Sequence, residues 1–145
     1  MKWIFAAIGV ALVAVAALQP WFHARTLDGT AVMSAWGHWS RDGAIDARLA
    51  PIPVGLLICA PAVWMLVAAL RDRYGQAFLG AVLSAVGSML AIALRQRVAA
   101  SAPGGDAVFV SLGWAPTIVL ILALAAAVVG WYLFARTELR DPPRE

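Results

Sequence analysis

The chain has 145 residues, of which 63% are hydrophobic and only 13% are charged. A soluble fold of this size could not bury so much apolar surface, so the composition predicts that lipid surrounds most of the chain. The net charge is +3, but the basic residues are scattered near the ends of apolar runs, which argues against nucleic acid as a partner.

Four apolar runs without Asp, Glu, Lys, Arg or His divide the chain. Each is close to the roughly 20 residues that a helix needs to cross the hydrocarbon core of a bilayer. They predict transmembrane helices at about 3–18, 54–70, 77–94 and 115–135. We therefore expect an all-α membrane protein, with residues 1–145 forming a single integral membrane domain built around a four-helix bundle.

The first run begins after Lys2 and is the shortest, so a cleavable secretory signal is the alternative to a first membrane helix. Gln19-Pro20 follows the run directly, and proline is unfavourable just after a cleavage point. The rest of the chain predicts membrane residence in either case. We favour an uncleaved first helix.

The distribution of arginine predicts the orientation of the chain. Basic residues are denser in the connection 71–76 and the tail 136–145 than in the longer segments 19–53 and 95–114. By the positive-inside rule, both termini and the tail are then cytoplasmic, and the two longer segments are outer loops. The expected location is the plasma membrane, with several passes.

Small residues mark one face of the third predicted helix. Gly80, Ser84, Ser88 and Ala91 follow one another at helical spacing. In lipid, such a stripe lets helices approach closely, so it predicts packing within the bundle, with dimerisation through the stripe as the alternative. In the second helix, Pro61 predicts a kink, because proline removes a backbone donor.

The first outer loop begins with the pattern of a β-hairpin. The stretches "WFHARTL" and "TAVMSAW" flank Asp28-Gly29, and Asp-Gly between strand-like runs indicates a type I′ turn. An isolated hairpin is marginally stable in water, so it must pack on the outer helix ends, the lipid headgroups or a partner protein. The stretch 107–113 could add a third strand.

Tryptophans lie near both ends of the predicted spans. Trp21 follows the first helix and Trp114 precedes the fourth, whereas Trp3 and Trp131 lie near the opposite face. All four positions fit an aromatic belt, in which the ring lies at the level of the lipid headgroups.

The stretch "SAWGHWSRDG", 34–43, puts Trp36 and Trp39 around His38. His38 and His23 are the best candidates for chemistry, yet neither has the ligand spacing of a metal site. The spans contain no histidine for haem and no ionisable group for proton or ion transport. A nucleophile would have to be a loop serine without a recognisable motif. We expect a structural turn that caps the bundle or enters the interface, with no cofactor and no metal.

Short motifs carry a family resemblance: Pro20-Trp21 in "LQPWF", Gly29 in "DGT" and Trp36 in "SAWG". With its further Ala-, Leu- and Val-rich helices, the chain resembles a group of small actinobacterial four-span membrane proteins, some described as tryptophan-operon-associated. The layout is also similar to the claudin plan of four helices with a Trp-bearing β-element in the first loop, although the paired cysteines of claudins are absent here. Neither resemblance implies an activity or catalytic residues.

The spans lack functional polar groups, while the first outer loop is too well patterned for a linker. We therefore expect a non-enzymatic accessory or interaction subunit of a cell-envelope or respiratory membrane complex, which contacts the bilayer and protein partners through its helix faces and hairpin. The candidate interface residues are Trp21, His23, Trp36, His38, Trp39 and Trp114. The alternatives are a transporter or channel component, a small-molecule binder gated by the Trp/His loop, and a membrane enzyme using His38 and an outer aspartate.

Overall fold

The computed structural model describes residues 2–26, 29–43, 49, 51–100 and 109–138. Within these ranges the chain forms four α-helices and four β-strands, so the predicted combination of four helices with a small antiparallel β-element is confirmed. The helices are α1 (Lys2–Leu18), α2 (Val54–Leu70), α3 (Tyr74–Ala100) and α4 (Ala115–Glu138). The strands are β1 (Phe22–Arg25), β2 (Gly29–Met33), β3 (Trp39–Gly43) and β4 (Phe109–Leu112).

The helices pack in the cyclic order α1, α2, α3, α4, with α4 returning to α1. Two of them extend past the predicted ends, since α3 continues beyond residue 94 to Ala100 and α4 beyond residue 135 to Glu138. The added residues of α3 begin with Arg95, Gln96 and Arg97, which are good helix formers although they are polar. The second outer segment, predicted to start at residue 95, therefore begins as helix.

The outer surface of the bundle is apolar as well as its core. Two of the described helices are long and apolar enough to cross a membrane, over Tyr74–Arg97 and Ala115–Thr137, while the apolar helices Trp3–Leu18 and Val54–Leu70 are shorter. All four carry large apolar side chains that are exposed in the isolated chain. These include Ile4, Val10, Leu56, Val63, Val67, Leu79, Leu83, Met89, Ile121, Leu124 and Val128.

Glycine lets α2 and α3 approach closely. A Cβ atom added at Gly80 would lie 2.8 Å from Met65 Cβ and 2.9 Å from the carbonyl oxygen of Pro61. At Gly87, an added Cβ would lie 2.7 Å from the carbonyl oxygen of Leu57. The two glycines thus lie on the contact between these helices, where a larger residue would force them apart. The kink at Pro61 stays a prediction.

The serines of the same stripe are also inside the bundle. Ser84 and Ser88 are fully buried. The Ser88 hydroxyl donates a 2.8 Å hydrogen bond to the carbonyl oxygen of Pro116, at the start of α4, whereas the Ser84 hydroxyl donates to Gly80 in its own helix. The stripe therefore faces α2 and α4 within one chain, where it is not available for contact with a second copy.

The four strands form one antiparallel sheet in the order β3-β2-β1-β4. Pairing of β1 with β2 aligns Arg25 with Thr30, and the Thr26 amide donates to the carbonyl oxygen of Gly29 at 2.9 Å. Gly29 is therefore a strand residue. The prediction that Gly29 lies in the turn is wrong, and Asp28, the other predicted turn residue, lies outside the described residues.

The other two strands come from different parts of the chain. The strand predicted within 107–113 is confirmed as β4, Phe109–Leu112, which pairs with β1. The stretch 34–43 is only partly a turn, since Trp39–Gly43 pairs with β2 as β3. A tight turn at 34–38 returns the chain alongside β2, and the ladder of backbone hydrogen bonds then favours a strand.

The sheet covers one end of the helix bundle. Its buried residues on the helix side are Phe22, Ala24, Ala31, Met33 and Val110. They belong to the same apolar cluster as Leu12 of α1, Ile58 of α2 and Val119 of α4. The helix ends bury one face of the sheet, and this burial stabilises a sheet that would be marginally stable by itself in water.

Candidate functional site

The face of the sheet that points away from the helices carries most of its polar side chains. Phe22 and Ala24 of β1 are buried, so His23 and Arg25, which alternate with them, lie on the opposite face. The strand register extends this face across the sheet in two rows. One row is Ser40, Val32, His23 and Ser111, and the other is Asp42, Thr30, Arg25 and Phe109.

Trp21 joins the helix bundle to the sheet. Its side chain is fully buried, and the indole N–H donates a 2.9 Å hydrogen bond to the carbonyl oxygen of Ala16 in the last turn of α1. Its backbone amide donates to Met33, and its carbonyl accepts from Gly113. The expectation that Trp21 belongs to an aromatic belt is therefore wrong, because its indole satisfies a helix-end carbonyl inside the core.

The turn at 34–38 is held by its own hydrogen bonds and by α2. The Ser34 amide donates to the His38 carbonyl at 2.9 Å, and the Ser34 hydroxyl accepts from the His38 amide at 3.2 Å. Gly37 has a φ of 81°, which favours glycine. The amide of Gly55, in the first turn of α2, donates to the Ala35 carbonyl at 2.7 Å. The turn is thus attached directly to the start of that helix.

The tryptophans around His38 have different environments. Trp36, in the turn, is 53% exposed. Trp39, which begins β3, is half-buried and packs against the core cluster. Trp114 is also partly exposed, just before α4. Of the candidate interface tryptophans, Trp36 and Trp114 can therefore meet a partner or lipid, whereas Trp21 cannot.

The two histidines are separate features. His38 is exposed in the turn, and His23 lies half-buried on the central strand β1. In the ranges that the structure describes, no three His, Cys, Asp or Glu side chains come together as metal ligands. Of the aspartates in the first outer loop, Asp42 is exposed in β3, whereas Asp28 and Asp46 lie outside those ranges.

A concavity with several polar lining residues lies where α3 meets the sheet. A pocket of about 640 Å³ is lined in part by His23, Arg25, Thr30, Arg95 and Ser111. The Nε–H of Arg95 donates a 2.8 Å hydrogen bond to the carbonyl oxygen of Val110 in β4, which fixes the guanidinium at this edge of the sheet. The arrangement is suited to binding an anion, because arginine and the hydroxyl groups supply hydrogen-bond donors.

Sequence reasoning missed this pocket. Arg25 and Arg95 were used only in the charge count that predicts the orientation. They lie far apart in the chain, so no short stretch of sequence groups them. A local signal does exist at one of them, since His23 and Arg25 alternate with apolar residues in a strand-like run. Nothing local shows that the end of α3 reaches β4.

The groove beside Pro61 is different in character. It lies between α2 and α3 and is lined entirely by apolar residues and glycine. The lining is Leu57, Ala60, Pro61, Trp64, Leu83, Val86, Gly87 and Leu90. A conduction path needs polar or ionisable lining groups, so this groove lends no support to a channel or transporter.

No protein-family model matches the chain, and no curated protein matches it.

Proposed function

We propose that this chain is a non-enzymatic integral membrane protein whose four helices all cross the bilayer. It acts as an accessory or interaction subunit of a cell-envelope or respiratory membrane complex. The proposal that the chain is a membrane protein rests on the apolar exterior of the bundle. A core helix of a soluble protein can match α3 and α4 in length and composition, but it does not expose large apolar residues along its outward face.

The exposed residues of the two shorter helices extend this argument to four spans. Val10 in α1 and Leu56, Val63 and Val67 in α2 are exposed in the isolated chain. Each of these helices has 17 residues, about 26 Å of helix, against a hydrocarbon core of about 30 Å. Local thinning of the bilayer accommodates a mismatch of this size at modest cost.

The proposed orientation has both termini in the cytoplasm and the sheet outside, at the plasma membrane. In a background with Cys59→Ala, a cysteine at exposed Thr30 should react with an impermeant thiol reagent in intact cells. A cysteine at Tyr74, at the opposite end of the bundle, should react only after the cells are opened. The reverse labelling pattern contradicts the orientation.

The interaction role is supported by the way the sheet is attached. Strands from two separate connections form one unit, and that unit is anchored to the helices by Trp21 and by the contact between Ala35 and Gly55. A surface held in this way is preorganised for a partner, since little order is lost on binding. We further propose kinship with the small actinobacterial four-span proteins that the "LQPWF" and "SAWG" motifs resemble.

Capture of native complexes tests this role. The tagged chain is extracted from its own membrane in a mild detergent, and the proteins that co-purify are quantified. Trp36→Ala should reduce the retained partner, because this exposed indole lies on the sheet end of the bundle. Trp131→Ala is the matched control, with a similarly exposed ring, 57% against 53%, at the other end.

If the same proteins are retained at the same level by both variants and by the parent chain, the turn at Trp36 is not the contact. If nothing is retained above an unrelated membrane protein of similar size, the accessory-subunit proposal itself is wrong.

A further inference from the structure

Two adjoining cavities meet at Arg95. The first is the pocket described above, which is lined in part by His23, Arg25, Thr30 and Ser111. The second, also of about 640 Å³, lies between α3 and β4. Beside Arg95 and Gln96, its walls include the apolar side chains of Ile92, Ala93 and Leu112. Arg95, Phe109 and Val110 line both. Each volume lies in the range typical of small-molecule pockets in proteins, about 300–1,000 Å³.

The first cavity presents two cationic side chains. Arg25 and Arg95 line it, and no Asp or Glu is among its described lining residues. Neither arginine forms an ion pair with another described residue. Thr30 and Ser111, the neighbours of Arg25 and His23 across the strands, add hydroxyl groups. A bound anion would be attracted to both guanidinium groups.

The hydrogen bond of Arg95 leaves its guanidinium oriented for binding. Only Nε is used by the Val110 carbonyl, and the terminal nitrogens of the group carry four further N–H donors. The planar fork of arginine matches the oxygens of phosphate, to which it can donate two parallel hydrogen bonds. Because the side chain is already held at β4, less conformational entropy is lost when it binds.

The apolar lining residues of the second cavity would contact a hydrocarbon part of the ligand. Ile92 and Ala93 lie within one helical turn before Arg95, on the side of the apolar span of α3. A free phosphate could contact Arg95 from either cavity, and it would leave the apolar lining unoccupied. A ligand with a phosphate group and an adjoining hydrocarbon chain would fill both.

We propose that Arg25 and Arg95 bind the phosphate of an anionic phospholipid, with an acyl chain in the apolar groove beside Ile92 and Leu112. This site rests on the membrane location proposed above, but it is independent of any protein partner. It couples the outer end of α3 to the sheet through a lipid, so the bound lipid would stabilise their junction.

The full chain, purified in detergent and stripped of lipid, is tested with three probes. These are phosphatidylglycerol, phosphatidylcholine with the same acyl chains, and inorganic phosphate. Retained lipid is counted by native mass spectrometry, and the melting temperature is followed as each probe is titrated. Phosphatidylglycerol should be retained and should raise the melting temperature, whereas phosphatidylcholine and inorganic phosphate should do so weakly.

Charge removal locates the site. Arg25→Gln and Arg95→Gln should each weaken phosphatidylglycerol binding by about tenfold or more, as expected for loss of a charge-assisted contact. Arg41→Gln is the matched control, because Arg41 is exposed on the same sheet and lines neither cavity. Arg25→Gln leaves the bond between Arg95 and Val110 intact, so the test still stands if Arg95→Gln fails to fold.

Equal retention of phosphatidylcholine, or an equal loss of binding in Arg41→Gln, overturns the proposal in favour of unspecific attraction. If inorganic phosphate alone produces the whole stabilisation, the site takes a free anion and the lipid assignment is wrong. Retention of the chain in carbonate-washed membranes is measured separately. If the chain stays in the membrane but shows no preference for phosphatidylglycerol, the lipid site is refuted and the membrane location is not.

Discussion

Replacing Gly80 with alanine tests the close approach of α2 and α3. The new methyl group would lie 2.8 Å from Met65 Cβ and 2.9 Å from the Pro61 carbonyl oxygen. Neither atom can move away by a change of side-chain rotamer, so the helices themselves must separate. Overpacking of this kind costs about 1–3 kcal/mol, and alanine recovers about 0.5–1 kcal/mol of helix propensity. The expected net loss in unfolding free energy is therefore about 1 kcal/mol from the midpoints of these ranges, and at most about 2.5 kcal/mol.

Gly9→Ala is the matched control for Gly80→Ala. Its added methyl group would first meet the Met65 Cε atom at 3.1 Å and the Leu66 Cδ1 atom at 3.4 Å, the ends of two flexible side chains. We expect this variant to be as stable as the parent, or more stable by up to about 1 kcal/mol. Both are compared by reversible unfolding in mixed micelles with increasing dodecyl sulfate, followed by circular dichroism. If the two variants unfold at the same point, the argument from the helix contact is refuted.

Two further pairs of variants separate structural contacts from surface groups. Trp21→Ala should lower the unfolding free energy by about 3–5 kcal/mol, because it leaves a cavity between α1 and the sheet. His38→Gln should leave the folded yield unchanged in size-exclusion chromatography. A fold that tolerates the first change but not the second would contradict the assignment of these roles. Ser88→Ala should destabilise the bundle by about 0.5–1.5 kcal/mol, since its hydroxyl donates across helices, and Ser84→Ala should be nearly neutral in the same unfolding assay. Equal effects of the two serines would show that the bond between helices contributes nothing measurable.

Local pattern alone was enough to determine the helices and one hairpin. The apolar run 54–70 coincides with α2, and the start of α4 at Ala115 was also predicted. The strand-like stretches 21–27 and 30–36 overlap β1 and β2, although Gly29, predicted to lie in the turn, is the first residue of β2. These features depend on neighbours within a few residues, because hydrophobic runs, turn residues and strand propensity act over short distances.

Tertiary structure decided where those elements meet. Trp21 has the sequence position of a belt tryptophan, yet a carbonyl at the end of α1 and the sheet above it enclose the ring. Likewise, β3 exists because a turn braced on α2 returns the chain to β2, and the amide of Gly55 that braces it is remote from that turn in sequence. Arg25 and Arg95 come to one pocket only because β4 pairs with β1 at the end of α3. Contacts between distant segments depend on the packing of the whole chain, and no short stretch of sequence carries that information.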